Sequence, residues 1–261
     1  MVNFVGAGPG AVDLITVRGR KLIEEADCII YAGSLVNPEI LAWKKDCCEV
    51  YDSSRMSLPE VIAQMEKAER DGKMTVRLHT GDPSVYGAIR EQMDALDERK
   101  IPYAVCPGVS SFCAAAAALQ MEYTLPGISQ SVIITRGAGR TPVPERESVR
   151  SFAAHRAVMV LFLSSGMAGR MAEELMAGGY SAETPCAMVY RASWPDEKIV
   201  RTTVEKLEQA AADAGITRQA LIVVGDAVAQ KDYDFSKLYD PAFTTGYRKG
   251  RHHESTGYLF H

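Results

Sequence analysis

The 261 residues are 47% hydrophobic and 24% charged, the balance of a globular chain able to bury one large core or two ordinary domains. A formal net charge of −4 supplies no global basic field for nucleic acid or an anionic membrane, so an acidic ligand must be held by locally placed arginines. The six cysteines lack CxxC spacing and no apolar run reaches the roughly 20 residues that span a bilayer, so a cytoplasmic enzyme without a metal site is expected.

Residues 2–5 read as a strand, Gly6-Ala7-Gly8-Pro9-Gly10 as a loop, and Ile15, Gly19, Leu22, Ile23 and Ala26 as the inner face of a helix leading to a strand at 28–31. Gly6, Gly8 and Ala11 match the letters G-x-G-x-x-A of a dinucleotide fingerprint. Two departures outweigh the letters. Pro9 removes a backbone N–H from the would-be phosphate cradle, and the second strand ends in Tyr31-Ala32-Gly33 without an acid for a ribose. Loops at 33–38 and 51–56 follow strands; Ser57-Leu58-Pro59-Glu60 then has capping-box spacing and opens a helix with Val61, Ile62, Met65 and Ala68 inside and Gly72 at its end.

The run 76–79 predicts a strand that breaks at Gly81-Asp82-Pro83. Gly81 lets a ligand reach bare backbone, Asp82 places a carboxylate at the turn, and Pro83 with Ser84 predicts a helix start. An ordinary strand-to-helix connection uses the same residue types, so this stretch alone leaves both readings open. His79 is expected to be packed near the strand end. Ile89, Met93 and Leu96 mark the next helix and 103–106 the fifth strand, which runs through Pro107-Gly108-Val109 to Ser110 and Ser111 at the head of an alanine-rich helix. Those hydroxyls either cap that helix or face a ligand; with no G-x-S-x-G elbow, a serine hydrolase is disfavoured. The alternation predicts a largely parallel sheet.

Residues 120–129, with Pro126-Gly127, break the pattern and predict a linker between a domain at 1–119 and another at 130–245, followed by a polar tail at 246–261. The second series has a strand at 132–135, a loop at 136–144 carrying Arg136 and Arg140, an apolar strand at 157–163, and a helix whose Met167, Met171, Leu175 and Met176 read as core, stopped by Gly178-Gly179. A strand at 185–190 delivers the dense polar and aromatic loop 191–198. Residues 199–203 are expected to lead into a helix of Val204, Leu207 and Ala211, and 220–225 closes the series. His252 and His253 lack further ligands for a metal.

Val5-Gly6-Ala7-Gly8-Pro9-Gly10, Leu14-Ile15-Thr16, Tyr31-Ala32-Gly33-Ser34-Leu35-Val36, His79-Thr80-Gly81-Asp82-Pro83 and Pro107-Gly108-Val109-Ser110-Ser111, in this order and spacing, resemble the tetrapyrrole methyltransferases that use S-adenosyl-L-methionine. Asp52 to Met56, Arg140 to Pro144, Tyr190 to Lys198 and Lys237 to Pro241 resemble the branch of that family acting on cobalamin precursors. The resemblance implies two α/β/α domains with largely parallel or mixed sheets, usually in a homodimer, the methyl donor in the cleft between domains and a tetrapyrrole across an adjacent trough. S-adenosyl-L-homocysteine would be the second product. Carried over by position, Thr80, Gly81, Asp82, Val85 and Tyr86 would hold the donor's amino-acid and ribose parts, with Ser110 and Ser111 beside them. Leu163, Tyr190, Arg191 and Ala192 would close over the adenine, with Pro9 at the cleft. Arg55, Arg136, Arg140 and Arg191 lie on loops expected to face the trough, where forked guanidiniums suit carboxylates. Relatives acting on uroporphyrinogen tend to carry Asp where this chain has Ala32, so no general base is assigned. An RNA- or protein-modifying methyltransferase on the same scaffold, and a carrier without turnover, are the competing readings; the net charge and the 190–198 loop disfavour the first, the intact Gly81-Asp82 ledge the second.

Overall fold

The computed structural model describes residues 1–251, so the His252–His253 pair lies outside the described residues. Strands β1 (Val2–Gly6), β2 (Cys28–Tyr31), β3 (Glu49–Asp52), β4 (Thr75–His79) and β5 (Tyr103–Cys106) form an all-parallel sheet in the order β3-β2-β4-β1-β5. Parallel neighbours need crossovers, supplied by helices α1 (Val17–Glu25), α2 (Leu58–Arg70) and α3 (Arg90–Glu98), and between β2 and β3 by short 3-10 turns. Strands β1 and β4, at the centre of the sheet, are buried along their whole length. Val2, Phe4 and Ile30 pack with Ile62 and Met65 of α2 and Leu96 of α3, while Val5, Val76 and Leu78 pack with Ile23 of α1 and with Ile40. At the head of α2 the Glu60 carboxylate accepts from Ser57 N at 2.7 Å, and Gly72, at φ +68°, follows its end.

The second sheet is mixed, in the order β6-β7-β10-β8-β9, from β6 (Val132–Arg136), β7 (Val158–Phe162), β8 (Pro185–Tyr190), β9 (Lys198–Thr203) and β10 (Ala220–Val224). Only β6 and β7 run parallel. Residues 199–203, expected to approach a helix, belong instead to the edge strand β9, whose β-branched side chains pair antiparallel with β8 once the 191–197 loop reverses the chain. The helix follows later, as α7 (Leu207–Asp213).

Helices α5 (Val149–Ala153), α6 (Ala168–Gly178) and α7 cover one face of this sheet, with Met171 among the side chains buried there. The opposite face is covered by α4 (Ser111–Leu119), the helix that follows β5: Ala114, Ala115 and Leu119 pack with Val160, Val189 and Val223. Its carboxyl end is closed from the second half of the chain. Arg201 Nη2 and Gln230 Nε2 donate to the Leu119 carbonyl at 2.8 and 3.0 Å, answering an orphan acceptor that the helix cannot satisfy internally.

Candidate active site

The carboxyl ends of β1, β4 and β5 converge on glycines. Ala7 N donates to the His79 carbonyl at 2.7 Å, and Gly8 and Gly81 exchange backbone hydrogen bonds of 3.2 and 2.8 Å, prolonging the ladder past the strands. A Cβ on Gly108 would lie 2.2 Å from the Gly81 carbonyl oxygen, and one on Gly6 2.6 Å from the same atom. Only glycine permits this approach. The arrangement also explains why the first glycine loop cannot cradle a phosphate: the N–H groups of Ala7 and Gly8 are committed to the ladder, Pro9 has none, and Ala11 N donates to Ser193 Oγ at 3.0 Å.

Asp82 is drawn into this framework. Its Oδ1 accepts from Ser84 N and its Oδ2 from Gly108 N, each at 2.8 Å, so the carboxylate ties the turn after β4 to the loop after β5. Partial burial works to raise its pKa, but the hydrogen bonds from Ser84 and Gly108 prevail and hold it below the usual carboxylate range. The helix expected from Pro83 and Ser84 does not form. Residues 83–86 make a turn, Tyr86 and Ala88 take left-handed conformations (φ +56° and +50°) through which a right-handed helix cannot run, and α3 begins only at Arg90. The turn sends Tyr86 outward, 45% exposed, with its ring 5.4 Å from that of Phe162 at the end of β7. This contact joins the two halves.

From the second half, Leu163 follows β7 at φ +53° and is 69% exposed, a bulky apolar side chain held out from a conformation that non-glycine residues occupy at a cost of about 1–2 kcal/mol. Buried Ser164 steadies it: its Oγ accepts from Gly137 N at 2.8 Å and donates to the Phe162 carbonyl at 2.7 Å. After β8 comes Tyr190, then Arg191 at φ +46° and buried Ala192. The Arg191 guanidinium lies 3.9 Å over the Trp194 ring and pairs with Asp196, and its buried Nε has no partner among the described residues. Trp194 Nε1 in turn donates to the Pro9 carbonyl at 3.0 Å, its indole filling the space that a Cβ on Gly10 would occupy. Sequence reasoning marked the loop as unusual but missed Ser193 and Trp194 as its contacts to the first half; the signal was a tryptophan in a polar turn and a third glycine, Gly10, with no ladder to serve.

Pro9 is therefore at the seam, Ser110 Cα and Ser111 N lie within 3.5 Å of the space beside Gly81, and Thr80 is exposed at the end of β4. Thr80, Tyr86 and Leu163 are exposed, whereas the N–H and the carbonyl of Gly81 are both taken by Gly8. His79 is buried, with its ring near that of Phe4; burial first, then the Arg77 charge, pushes its pKa down to about 3. The other three arginines expected to face the trough differ. Arg136 donates to the carbonyls of Thr141 and Pro142 at 3.2 and 2.8 Å and shapes its own loop, whereas Arg55 and Arg140 are exposed.

The family model of the tetrapyrrole (corrin/porphyrin) methylases matches residues 1–208. The chain belongs to this family. It is 53% identical over 248 residues to a cobalt-precorrin-4 C(11)-methyltransferase of Methanocaldococcus jannaschii, covering 95% of this chain and 96% of the relative. Its fold is the tetrapyrrole methylase fold: the X-ray structure of a cobalamin biosynthetic enzyme, cobalt precorrin-4 methyltransferase, superposes with a TM-score of 0.85 at 47% identity, covering 87% of this chain and 95% of that one. A uroporphyrin-III C-methyltransferase of Thermus thermophilus, complexed with S-adenosyl homocysteine, gives a TM-score of 0.72 at 27% identity over 87% of this chain and 92% of its own. Family members of both kinds thus share the two-sheet scaffold on which the glycine ledge and the β8–β9 loop are built.

Proposed function

We propose that this protein transfers the methyl group of S-adenosyl-L-methionine to C11 of precorrin-4 or cobalt-precorrin-4 in cobalamin biosynthesis, leaving S-adenosyl-L-homocysteine. The observation that carries the reading is 53% identity, over nearly the full length of both chains, to an enzyme of that name. Thr80, Gly81, Val85, Tyr86, Ser110 and Ser111 would hold the donor's amino-acid and ribose parts, and Leu163, Tyr190, Arg191 and Ala192 its adenine, with Pro9 at the cleft. Asp82 serves the same site from behind by fixing the backbone on either side. Arg55 and Arg140 would meet substrate carboxylates, with Arg136 holding the loop that carries Arg140.

Bound in that site, the donor supplies a methyl already activated by its sulfonium. The chain's task is to seat the ring carbon in line with that methyl and to keep water out, functions suited to a stiff glycine ledge facing the apolar Leu163 and Tyr86. No general base is assigned among these residues. We further read residues 1–119 and 130–245 as two domains joined by 120–129, working as a cytoplasmic homodimer; no helix among the described residues is long and apolar enough to cross a membrane. Sedimentation equilibrium tests the dimer.

The deciding experiment is anaerobic incubation with methyl-labelled donor and precorrin-4, with and without inserted cobalt, followed by mass and NMR analysis. One label at C11 supports the reading, and the two rates distinguish the substrates. A label at another ring position overturns the regiochemistry. No transfer despite donor binding reopens the substrate, with RNA tested next.

A further inference from the structure

We propose that Arg77 and Gln92, buried behind the turn at 83–88, are positioning residues that set the shape of the donor site; the inference rests on reading Val85 and Tyr86 as donor-binding. Arg77 on β4 and Gln92 on α3 are 7% and 5% exposed. Arg77 Nε donates to Gln92 Oε1 at 3.0 Å and Nη1 to the Ile30 carbonyl of β2 at 3.1 Å, and no carboxylate pairs with it among the described residues. Gln92 Nε2 then donates to the Ala88 carbonyl at 2.8 Å. One hydrogen-bonded line therefore runs from the middle of the first sheet, through β4 and α3, to the rear of the turn.

Ala88 and Tyr86 both stand in the left-handed region, which neither residue type favours, so the turn keeps its shape only if its surroundings impose it. Asp82 holds the front of the turn through Ser84 and Gly108, and Gln92 holds the back through Ala88. Between the two anchors, Tyr86 is carried to Phe162 of the second half. A buried arginine without a counter-ion is a poor source of stability, and apolar side chains of similar volume commonly replace such groups without loss. Its presence here is explained by geometry: its two hydrogen bonds orient the Gln92 amide, leaving the NH2 group free to grip one carbonyl.

The test is Gln92→Glu, which keeps an acceptor for Arg77 and adds an opposite charge but removes the donor to Ala88. Thermal unfolding should show a melting temperature no lower than wild type. Calorimetry with S-adenosyl homocysteine should show about tenfold weaker binding, the scale of one lost hydrogen bond. Unchanged affinity in a folded Gln92→Glu protein overturns the proposal. Should that variant not fold, the apolar double variant Arg77→Met with Gln92→Leu serves instead, with the same two outcomes. Tyr86→Ala, measured alongside, separates the layers: if it too binds S-adenosyl homocysteine as wild type does, the donor reading of the turn fails; if it binds weakly while Gln92→Glu does not, only the positioning role falls.

Discussion

The loops that follow the strands of the two sheets are built by different means. On the first, Gly6, Gly81 and Gly108 bring backbone against backbone, the Asp82 carboxylate ties two of their loops together, and left-handed non-glycine residues enter only after Asp82, at Tyr86 and Ala88. On the second, Leu163, Arg191 and Ser193 accept left-handed conformations at φ +53°, +46° and +69° while keeping large or polar side chains. Glycine serves where the need is proximity; strain is tolerated where the need is a projected side chain.

The sharpest way to break this contrast is Gly108→Ala, whose Cβ would collide with the Gly81 carbonyl at 2.2 Å. Backbone cannot swing aside, so we expect a loss of about 3 kcal/mol in chemical denaturation, with donor binding abolished. Gly10→Ala should be milder, because its clash is with the Trp194 indole, which can move. Displacing it sacrifices the hydrogen bond to the Pro9 carbonyl, about 1 kcal/mol, and loosens the seam, which a rise in the KM for the tetrapyrrole would report.

Asp82 offers a pH test of the ledge. Its carboxyl is held below the ordinary value when folded, so its ionised form favours the folded state: the contribution is present above the unfolded pKa of about 3.9 and disappears as pH falls through the lower folded value. Asp82→Asn should therefore be less stable near neutrality and lose less on acidification, as melting temperatures across pH 2–7 would reveal. The smallest effect on stability is expected from Leu163→Gly, which relieves left-handed strain. Stability should change by no more than about 1 kcal/mol while S-adenosyl homocysteine binding weakens. A loss of stability without a loss of affinity would remove Leu163 from the second sheet's share of the cleft.

Local chemistry made much of this legible in advance. Strands β1 and β2 showed as largely apolar runs, the Ser57–Glu60 cap and the Gly72 stop as spacing, and the misfit of Pro9 to a phosphate cradle as a missing N–H. What escaped notice depends on partners far along the chain. Residues 199–203 are as consistent with a helix approach as with a strand until β8 is beside them, and Pro83-Ser84 would start a helix were the chain not turned left-handed at Tyr86 and Ala88. Arg77 is unremarkable in a strand until its burial against Gln92 is seen. Trp194 finds its meaning only in a glycine from the opposite end of the sequence.

Helix α4 carries a consequence for how the molecule comes into being. It emerges from the ribosome directly after the first sheet, yet the surface it covers includes Leu221 and Val223 of β10, the last strand among the described residues. During synthesis its alanine-lined flank must wait, unsheltered, for most of the second half to arrive, making this long-range docking a slow event and the waiting chain a natural client for chaperones.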